Sequence, residues 1–156
     1  MTNNSNTPTA RLQRVQQQIS QALGENQRPV DATLLLAVSK TRPASDILEL
    51  YHMGQRRFGE NYLQEALEKI AQLGDYDIEW HFIGPIQSNK TRDIASHFSW
   101  VHSVDRLKIA RRLSEQRPEG LAPLNICLQV NVSGEQSKSG CSLSELPHLA
   151  AEVAEL

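Results

Sequence analysis

Short apolar runs alternate with amphipathic helical patterns along most of this chain, and that alternation constrains its fold more than any other feature. An amphipathic pattern at residues 11–23 is followed by about five units in which an apolar run precedes a helical stretch. The apolar runs lie at residues 34–38, 57–59, 80–84, 100–103 and 124–132. Because such alternation is typical of parallel strands joined by helical crossovers, the sequence predicts an α/β fold with a parallel sheet.

Two architectures satisfy this pattern, an open doubly wound sheet and a (β/α)8 TIM barrel. The last strand pattern favours the barrel, because one of its faces is apolar and the other is polar. The apolar face carries Leu124, Ile126, Leu128, Val130 and Val132. The polar face carries Asn125, Cys127, Gln129 and Asn131. A central strand of an open sheet is normally apolar on both faces, whereas a barrel strand can point polar groups inward. An edge strand with one wet face is the alternative.

Composition and charge exclude several classes of function. The chain of 156 residues has 16 Lys and Arg against 18 Asp and Glu, and this net charge of −2 argues against nucleic-acid binding. Its apolar runs are far shorter than the roughly 20 residues of a membrane helix, and its polar N-terminus does not resemble a secretion signal. Two cysteines without CxxC spacing indicate a reducing cytoplasm. We expect residues 1–8 to be a disordered tail and residues 9–156 to be one domain.

Lys40 is the first candidate for chemistry, because it follows the apolar run 34–38 at the carboxyl end of the first strand. Active sites of βα barrels lie at that end. Lys40 shares strand parity with Leu36 and Val38, so we expect it on the same side as apolar residues. Apolar surroundings favour the neutral amine, which is the form that makes a Schiff base with an aldehyde. The alternative is a lysine whose amine extends from the strand end into water.

Three other polar segments also follow predicted strands. Asn61, two residues after Gly59, offers an amide donor and acceptor to a ligand ring, although a turn with a helix cap would use the same residues. Segment 81–90 passes through a Gly-Pro turn into a helix start, where backbone N–H groups and Lys90 could bind an anion. Loop 133–140 has the Gly, Ser and Lys of a phosphate loop without its spacing, so a mobile surface loop is an equally good interpretation.

Four segments together resemble the pyridoxal-phosphate homeostasis protein family. They are AVSKT at 37–41, FGENY at 58–62, WHFIGPIQSNK at 80–90 and SKSG at 137–140. The resemblance spans roughly residue 11 to the C-terminus, and the motifs occur in matching order. It implies a (β/α)8 TIM barrel of the alanine racemase N-terminal-domain type, with about the first five βα units present.

The resemblance also implies a cofactor and a site. Pyridoxal 5′-phosphate (PLP) would be held as a Schiff base on Lys40, with Asn61 beside it. The other implied cofactor-binding residues are His81, Ile83, Gly84, Ser88, Asn89 and Lys138. The implied function is a non-enzymatic PLP carrier or buffer in vitamin B6 homeostasis, with PLP-dependent apo-enzymes as partners. The alternative is a PLP-dependent, racemase-like enzyme, although no pattern here identifies the second acid–base group that racemisation needs.

Members of that family continue for three more βα units, which hold the PLP phosphate. The chain is therefore expected to be C-terminally truncated and to bind PLP weakly, because charge-assisted phosphate contacts contribute much of the affinity for such a cofactor. An unclosed barrel exposes two sheet edges, which favour self-association of this chain, whereas the full-length parent is expected to be a monomer.

Overall fold

The computed structural model describes residues 6–156 and contains, within that range, a five-stranded parallel sheet with a helix after each strand. The strands are β1 (Ala37–Val38), β2 (Arg57–Glu60), β3 (Glu79–Phe82), β4 (Trp100–Val104) and β5 (Asn125–Leu128). The helices are α1 (Pro8–Glu25), α2 (Ala44–His52), α3 (Leu63–Gln72), α4 (Thr91–His97), α5 (Leu107–Gln116) and α6 (Leu146–Ala154), and a 3-10 turn (Ser88–Lys90) precedes α4. No helix in the described range is long and apolar enough to cross a membrane.

The strand order distinguishes the two predicted architectures. It is β1-β2-β3-β4-β5, so every strand pairs in parallel with the next strand in sequence. A doubly wound sheet reverses its direction of growth at a switch point, and this sheet does not. The predicted barrel-type order is therefore confirmed. In the described range β1 and β5 are the two edges of the sheet.

The hydrophobic core lies between one face of the sheet and the helices. Phe58, Phe82 and Val101 come from three consecutive strands and are almost completely buried there. Ile126 and Leu128 of β5 pack against the same core. The apolar face that the sequence predicts for β5 is thus confirmed for these two residues. The core holds the strands in register and so fixes where their carboxyl ends lie.

The opposite face of the sheet, which we call the inner face, carries Gly59, His81 and Trp100 at one level of the strand register. A Cβ placed on Gly59 would lie 3.1 Å from the side chain of Ile83 and 3.5 Å from that of Leu36. Those two side chains therefore share the inner face. The alternation along each strand separates this face from the core.

Two strands are shorter than predicted, and in each case other groups replace the expected ladder bonds. Residues 34–36 lie outside β1, and the Leu35 carbonyl accepts a hydrogen bond from the Gln55 side chain at 2.9 Å. Strand β5 ends at Leu128. Beyond it the Gln129 N–H still donates to the Val104 carbonyl of β4 at 2.8 Å, while the Gln129 carbonyl accepts a hydrogen bond from the Cys141 N–H of a returning segment at 2.9 Å.

The helix ends follow local capping. Helix α1 begins at Pro8, three residues before its predicted start, because the Thr7 hydroxyl accepts a hydrogen bond from the Ala10 N–H at 3.2 Å. Residues 1–5 of the predicted disordered tail lie outside the described residues. Ser142 and Glu145 make the reciprocal hydrogen bonds of a capping box just before α6.

Candidate functional site

Lys40 follows β1 by two residues and its side chain is exposed. The Ser39 N–H donates to the Gly59 carbonyl at 2.9 Å, which extends the pairing with β2 as far as the residue before Lys40. This exposure agrees with the alternative in which the Lys40 amine extends into water. The core lies on the other face of the sheet, and Val38, which shares parity with Lys40, is 53 % exposed. Lys40 is therefore held at a strand end that opens to water.

A buried group of charges lies next to Lys40, and we call it the Lys69 network: Ser39, Glu60, Glu65 and Lys69. The Lys69 Nζ donates to Glu60 Oε1 at 2.7 Å, to Glu65 Oε1 at 2.6 Å and to the Ser39 carbonyl at 2.8 Å. The Ser39 hydroxyl donates to Glu60 Oε1 at 2.7 Å. Glu60 is 0 % exposed and Lys69 is 5 % exposed. Charges this far from water need such partners, because desolvation of an unpaired ion is costly.

Thr41, on the other side of Lys40, is bound by the same network. Its N–H donates to Glu65 Oε1 at 2.6 Å. Its φ of +61° lies in the left-handed region, which is unfavourable for a β-branched residue. The hydrogen bond from Lys69, helped by that from the Thr41 N–H, lowers the pKa of Glu65 below its ordinary value. Glu65 is consequently a carboxylate at neutral pH and a strong acceptor for both donors.

The ends of β2 and β3 meet at Asn61 and Gly84. A Cβ on Gly84 would lie 2.1 Å from the Asn61 carbonyl oxygen, so only glycine allows these two strand ends to approach so closely. The Ser103 hydroxyl, from β4, donates to the Gly84 carbonyl. The side-chain Oδ1 of Asn61 is buried and has no hydrogen-bond partner among residues 6–156. Since buried polar atoms are nearly always paired, this oxygen is an unsatisfied acceptor at the meeting point of the two strand ends.

His81 lies on the inner face and is already fully partnered. Its Nδ1 is 2.8 Å from His102 Nε2, its Nε2 is 2.8 Å from Glu79 Oε1, and its ring stacks parallel to that of Trp100 with centroids 5.7 Å apart. Burial lowers the pKa of His81 and that of His102 below their ordinary values. His81 thus offers a neutral ring that shapes the inner face, with both nitrogens occupied.

Ser88 and Asn89 occupy the 3-10 turn that precedes α4. Ser88 is half-buried, and its carbonyl accepts a hydrogen bond from the Thr91 hydroxyl at 3.0 Å. Asn89 is exposed. Ile83, two residues beyond the His81 ring, donates its N–H to the Glu60 carbonyl at 2.9 Å, which ties this segment to the end of β2.

Lys138 lies in the exposed loop 133–140 beyond β5. It therefore follows the strand at the opposite edge of the sheet from Lys40. The ends of three neighbouring strands, β1 to β3, lie side by side. The residues at the three neighbouring strand ends are Lys40, Asn61, Ile83 and Gly84.

Sequence reasoning missed the Lys69 network, although the sequence carries a signal for it. Lys69 lies three residues after Ala66 and four before Leu73, both buried, so it falls on the apolar face of α3. Glu65 precedes it by four residues, which places an acidic partner on the same face. A lysine on an apolar helix face with an acid one turn before it indicates a buried ion pair.

The sequence matches the family described as alanine racemase, N-terminal domain, over residues 11–156. It is 70 % identical over 122 residues to the pyridoxal phosphate homeostasis protein of Pseudomonas aeruginosa PAO1, covering 78 % of this chain and 53 % of that protein. It is 55 % identical over 148 residues to the protein of the same name in Escherichia coli K12, covering 93 % and 63 %. The chain thus spans between 53 % and 63 % of the length of these two relatives.

A solved structure is similar to the fold described above. It is PipY of Synechococcus elongatus PCC7942 with PLP bound, which superposes with a TM-score of 0.66 at 41 % identity. The alignment covers 85 % of this chain and 64 % of that chain. The similarity extends over most of the sheet and helices that carry the candidate site.

Proposed function

This chain belongs to the alanine racemase N-terminal domain family, and from that membership we propose that it binds PLP covalently through Lys40. The observation that carries the proposal is the strand-end geometry. An exposed lysine two residues after β1 lies beside the strand end that carries Asn61, whose buried amide oxygen has no partner in the described residues. An exposed amine and an unpaired polar acceptor fit an aldehyde with a polar ring. PLP supplies that aldehyde, whose carbon bonds to the amine with loss of one water.

The names of the relatives and the PLP in the PipY structure support the choice of cofactor. The residues of this chain would act by binding and orientation. The Lys69 network would orient the backbone around Lys40, and Asn61 would accept a hydrogen bond. Gly84, which has no side chain, allows the ends of β2 and β3 to lie close together. His81 and Trp100 provide a flat, neutral surface below them.

We propose further that the role is non-enzymatic, that of a PLP carrier or buffer in the cytoplasm which supplies PLP-dependent apo-enzymes. The word homeostasis in the relatives' names supports this reading.

Borohydride reduction of the chain with PLP, followed by peptide mass mapping, tests the attachment site. We expect the adduct to concentrate on Lys40 and to disappear from that peptide in the Lys40→Ala variant. Lys108→Ala, which removes a lysine from α5, is the matched control and should leave the Lys40 adduct unchanged. Equal labelling of Lys40, Lys90 and Lys108 would contradict the proposal.

An amino-acid racemisation assay separates the carrier from the enzyme. We expect no interconversion of D- and L-amino acids by the PLP-loaded protein, even when PLP is held on Lys40. Turnover that Lys40→Ala abolishes would support the racemase-like alternative and overturn the carrier role.

A further inference from the structure

The charged network beside Lys40 has no role in the function proposed so far beyond orientation in general. We propose that Glu60, Glu65 and Lys69 are positioning residues that select Lys40 as the PLP lysine by fixing the backbone on both of its sides. The inference rests on the proposed function, because it explains how one lysine is chosen among several.

The first argument is where the network touches the backbone. Lys69 Nζ binds the carbonyl of Ser39, the residue before Lys40, at 2.8 Å. Glu65 Oε1 binds the N–H of Thr41, the residue after it, at 2.6 Å. The two charges are themselves joined at 2.6 Å. The peptide groups on either side of Lys40 are therefore fixed by opposite ends of one ion pair, and this sets the direction in which the Lys40 side chain leaves the backbone.

The second argument is the conformation of Thr41. A φ of +61° is unfavourable for threonine and persists only where the surroundings impose it. The hydrogen bond to Glu65 supplies such a constraint. Backbone held in an unfavourable conformation is common at binding sites, and here it lies at the residue that follows Lys40.

The third argument is the way charge is distributed. Glu60 Oε1 accepts hydrogen bonds from Lys69 Nζ and from the Ser39 hydroxyl. Glu60 Oε2 is buried and has no partner among the residues described. Lys69 is thus the cation that both carboxylates share. Without Lys69, the carboxylates of Glu60 and Glu65 would repel each other beside β1. The hydrogen bonds to the Ser39 carbonyl and from the Thr41 N–H therefore depend on one another.

A network that only joined α3 to the sheet would stabilise the fold without affecting which lysine reacts. The two roles are separated by the ratio of PLP adduct on Lys40 to that on Lys108, measured in the same chain after borohydride reduction. Lys108 is the internal reference because it lies on α5, away from the network. Taking the ratio within one chain removes differences in PLP concentration and in reduction yield.

The variants form a graded series at Glu65. Glu65→Ala removes both the ion pair and the acceptor for the Thr41 N–H, and we expect the Lys40 to Lys108 ratio to fall about tenfold, since small misplacements of a reacting group have large effects on rate. Glu65→Gln retains a carbonyl acceptor for that N–H, and we expect it to keep most of the ratio. Partial recovery in the conservative variant is expected of a positioning role and not of a purely structural one.

Thr91→Val is the matched control for stability. Thr91 is completely buried. Its hydroxyl donates a hydrogen bond to Gln116 Oε1 at 2.7 Å and accepts one from Arg112 Nε at 3.1 Å. The variant therefore weakens the contact between α4 and α5 and changes no group that contacts the backbone beside Lys40. We expect its melting temperature to fall while the adduct ratio stays at the wild-type value. Amide hydrogen exchange gives a second readout, and the Thr41 N–H should exchange faster in Glu65→Ala and at the wild-type rate in Thr91→Val.

Two results would count against the inference, and they are distinguishable. Wild-type protein that labels Lys40 and Lys108 equally would overturn the proposed function together with the positioning role. Selective labelling of Lys40 that is unchanged in Glu65→Ala, or that follows the melting temperature equally in Glu65→Ala and Thr91→Val, would overturn the positioning role and leave the proposed function standing.

Discussion

Two lysines follow strands at opposite edges of the sheet, and the structure supports them in different ways. Lys40, after β1, lies between two peptide groups held by the Lys69–Glu65 ion pair, in which Lys69 is buried and Glu65 is partly exposed. Lys138, after β5, lies in an exposed loop whose main organiser is the side chain of Asn131, with Nδ2 2.8 Å from the Glu135 carbonyl and 3.4 Å from that of Lys138. Charged contacts away from water hold geometry far better than exposed polar ones. The two lysines thus hold similar places after a strand, but different contacts hold the backbone beside them.

The largest expected effect is the loss of the cation at the centre of the Lys69 network. Lys69→Met leaves the Glu60 carboxylate buried without a counter-charge, and breaking a buried pair in this way costs about 3–5 kcal/mol. Urea unfolding measures the change in the free energy of unfolding. The control is His148→Ala, which removes an exposed contact with Glu152 and should cost less than about 0.5 kcal/mol. Similar losses in the two variants would show that the network contributes little to stability.

The next largest effect on stability is expected in the loop that contains Lys138, at the end of residues 133–140. Gly140 has a φ of +118°, and a Cβ there would lie 2.5 Å from the Asn131 nitrogen. We expect Gly140→Ala to destabilise the protein by about 1–3 kcal/mol, the usual cost of a strained backbone. Ser137→Ala, at an exposed position in the same loop, is the control and should have little effect. The comparison predicts that neither variant changes PLP labelling of Lys40, and a reduced Lys40 adduct in Gly140→Ala would show that the two regions are coupled.

Much of the fold follows from the sequence because it depends on local periodicity. The alternation predicted parallel strands, and the apolar parity of Ile126 and Leu128 correctly predicted which face of β5 packs against the helices. The length of β1 could not be predicted in this way. It depends on the Gln55 side chain, which reaches the Leu35 carbonyl from 20 residues away. Contacts of that kind exist only once the chain has folded.

The site divides along the same line. Lys40 and Asn61 could be proposed from the sequence because they follow strands, and parallel strands end at one edge. Gly84 was proposed through the family resemblance. The unpaired oxygen of Asn61 and the hydrogen bond from the Thr41 N–H to Glu65 depend on how α3 packs beside β1 and β2. The periodicity of the sequence does not predict that packing. The exposure of Lys40 agrees with the alternative in which its amine extends into water. Parity could not decide between the two alternatives, because it gives the side of the strand but not what covers that side.

A smaller effect is expected from relaxing the backbone after Lys40. Thr41→Gly removes the side chain that makes a φ of +61° unfavourable. We expect the free energy of unfolding to rise by about 0.5–1 kcal/mol, after subtracting the cost of the greater flexibility of glycine in the unfolded chain. Gln27→Gly is the matched control, since Gln27 has a φ of +52° in the loop after α1. Both variants should show a similar small gain in the free energy of unfolding, but only Thr41→Gly should lower the Lys40 to Lys108 adduct ratio. Equal ratios in both would show that the conformation of Thr41 does not orient Lys40.

The smallest effect concerns acid pH, and it again compares the two regions. Folding lowers the pKa of Glu65, through the hydrogen bond from Lys69, and that of Glu145, through hydrogen bonds from Ser142. A carboxyl whose pKa is lower in the folded state contributes stability above its ordinary value of 4.5 and loses it as the pH falls through the lowered pKa. Glu65→Gln and Glu145→Gln should therefore each flatten the fall in melting temperature below pH 4.5. Of these two carboxyl groups, only Glu65 contacts the backbone beside Lys40. The Lys40 to Lys108 adduct ratio should therefore decline with acid equally in wild type and in Glu145→Gln, and decline less in Glu65→Gln. An equal decline in all three would show that protonation of Glu65 does not affect Lys40.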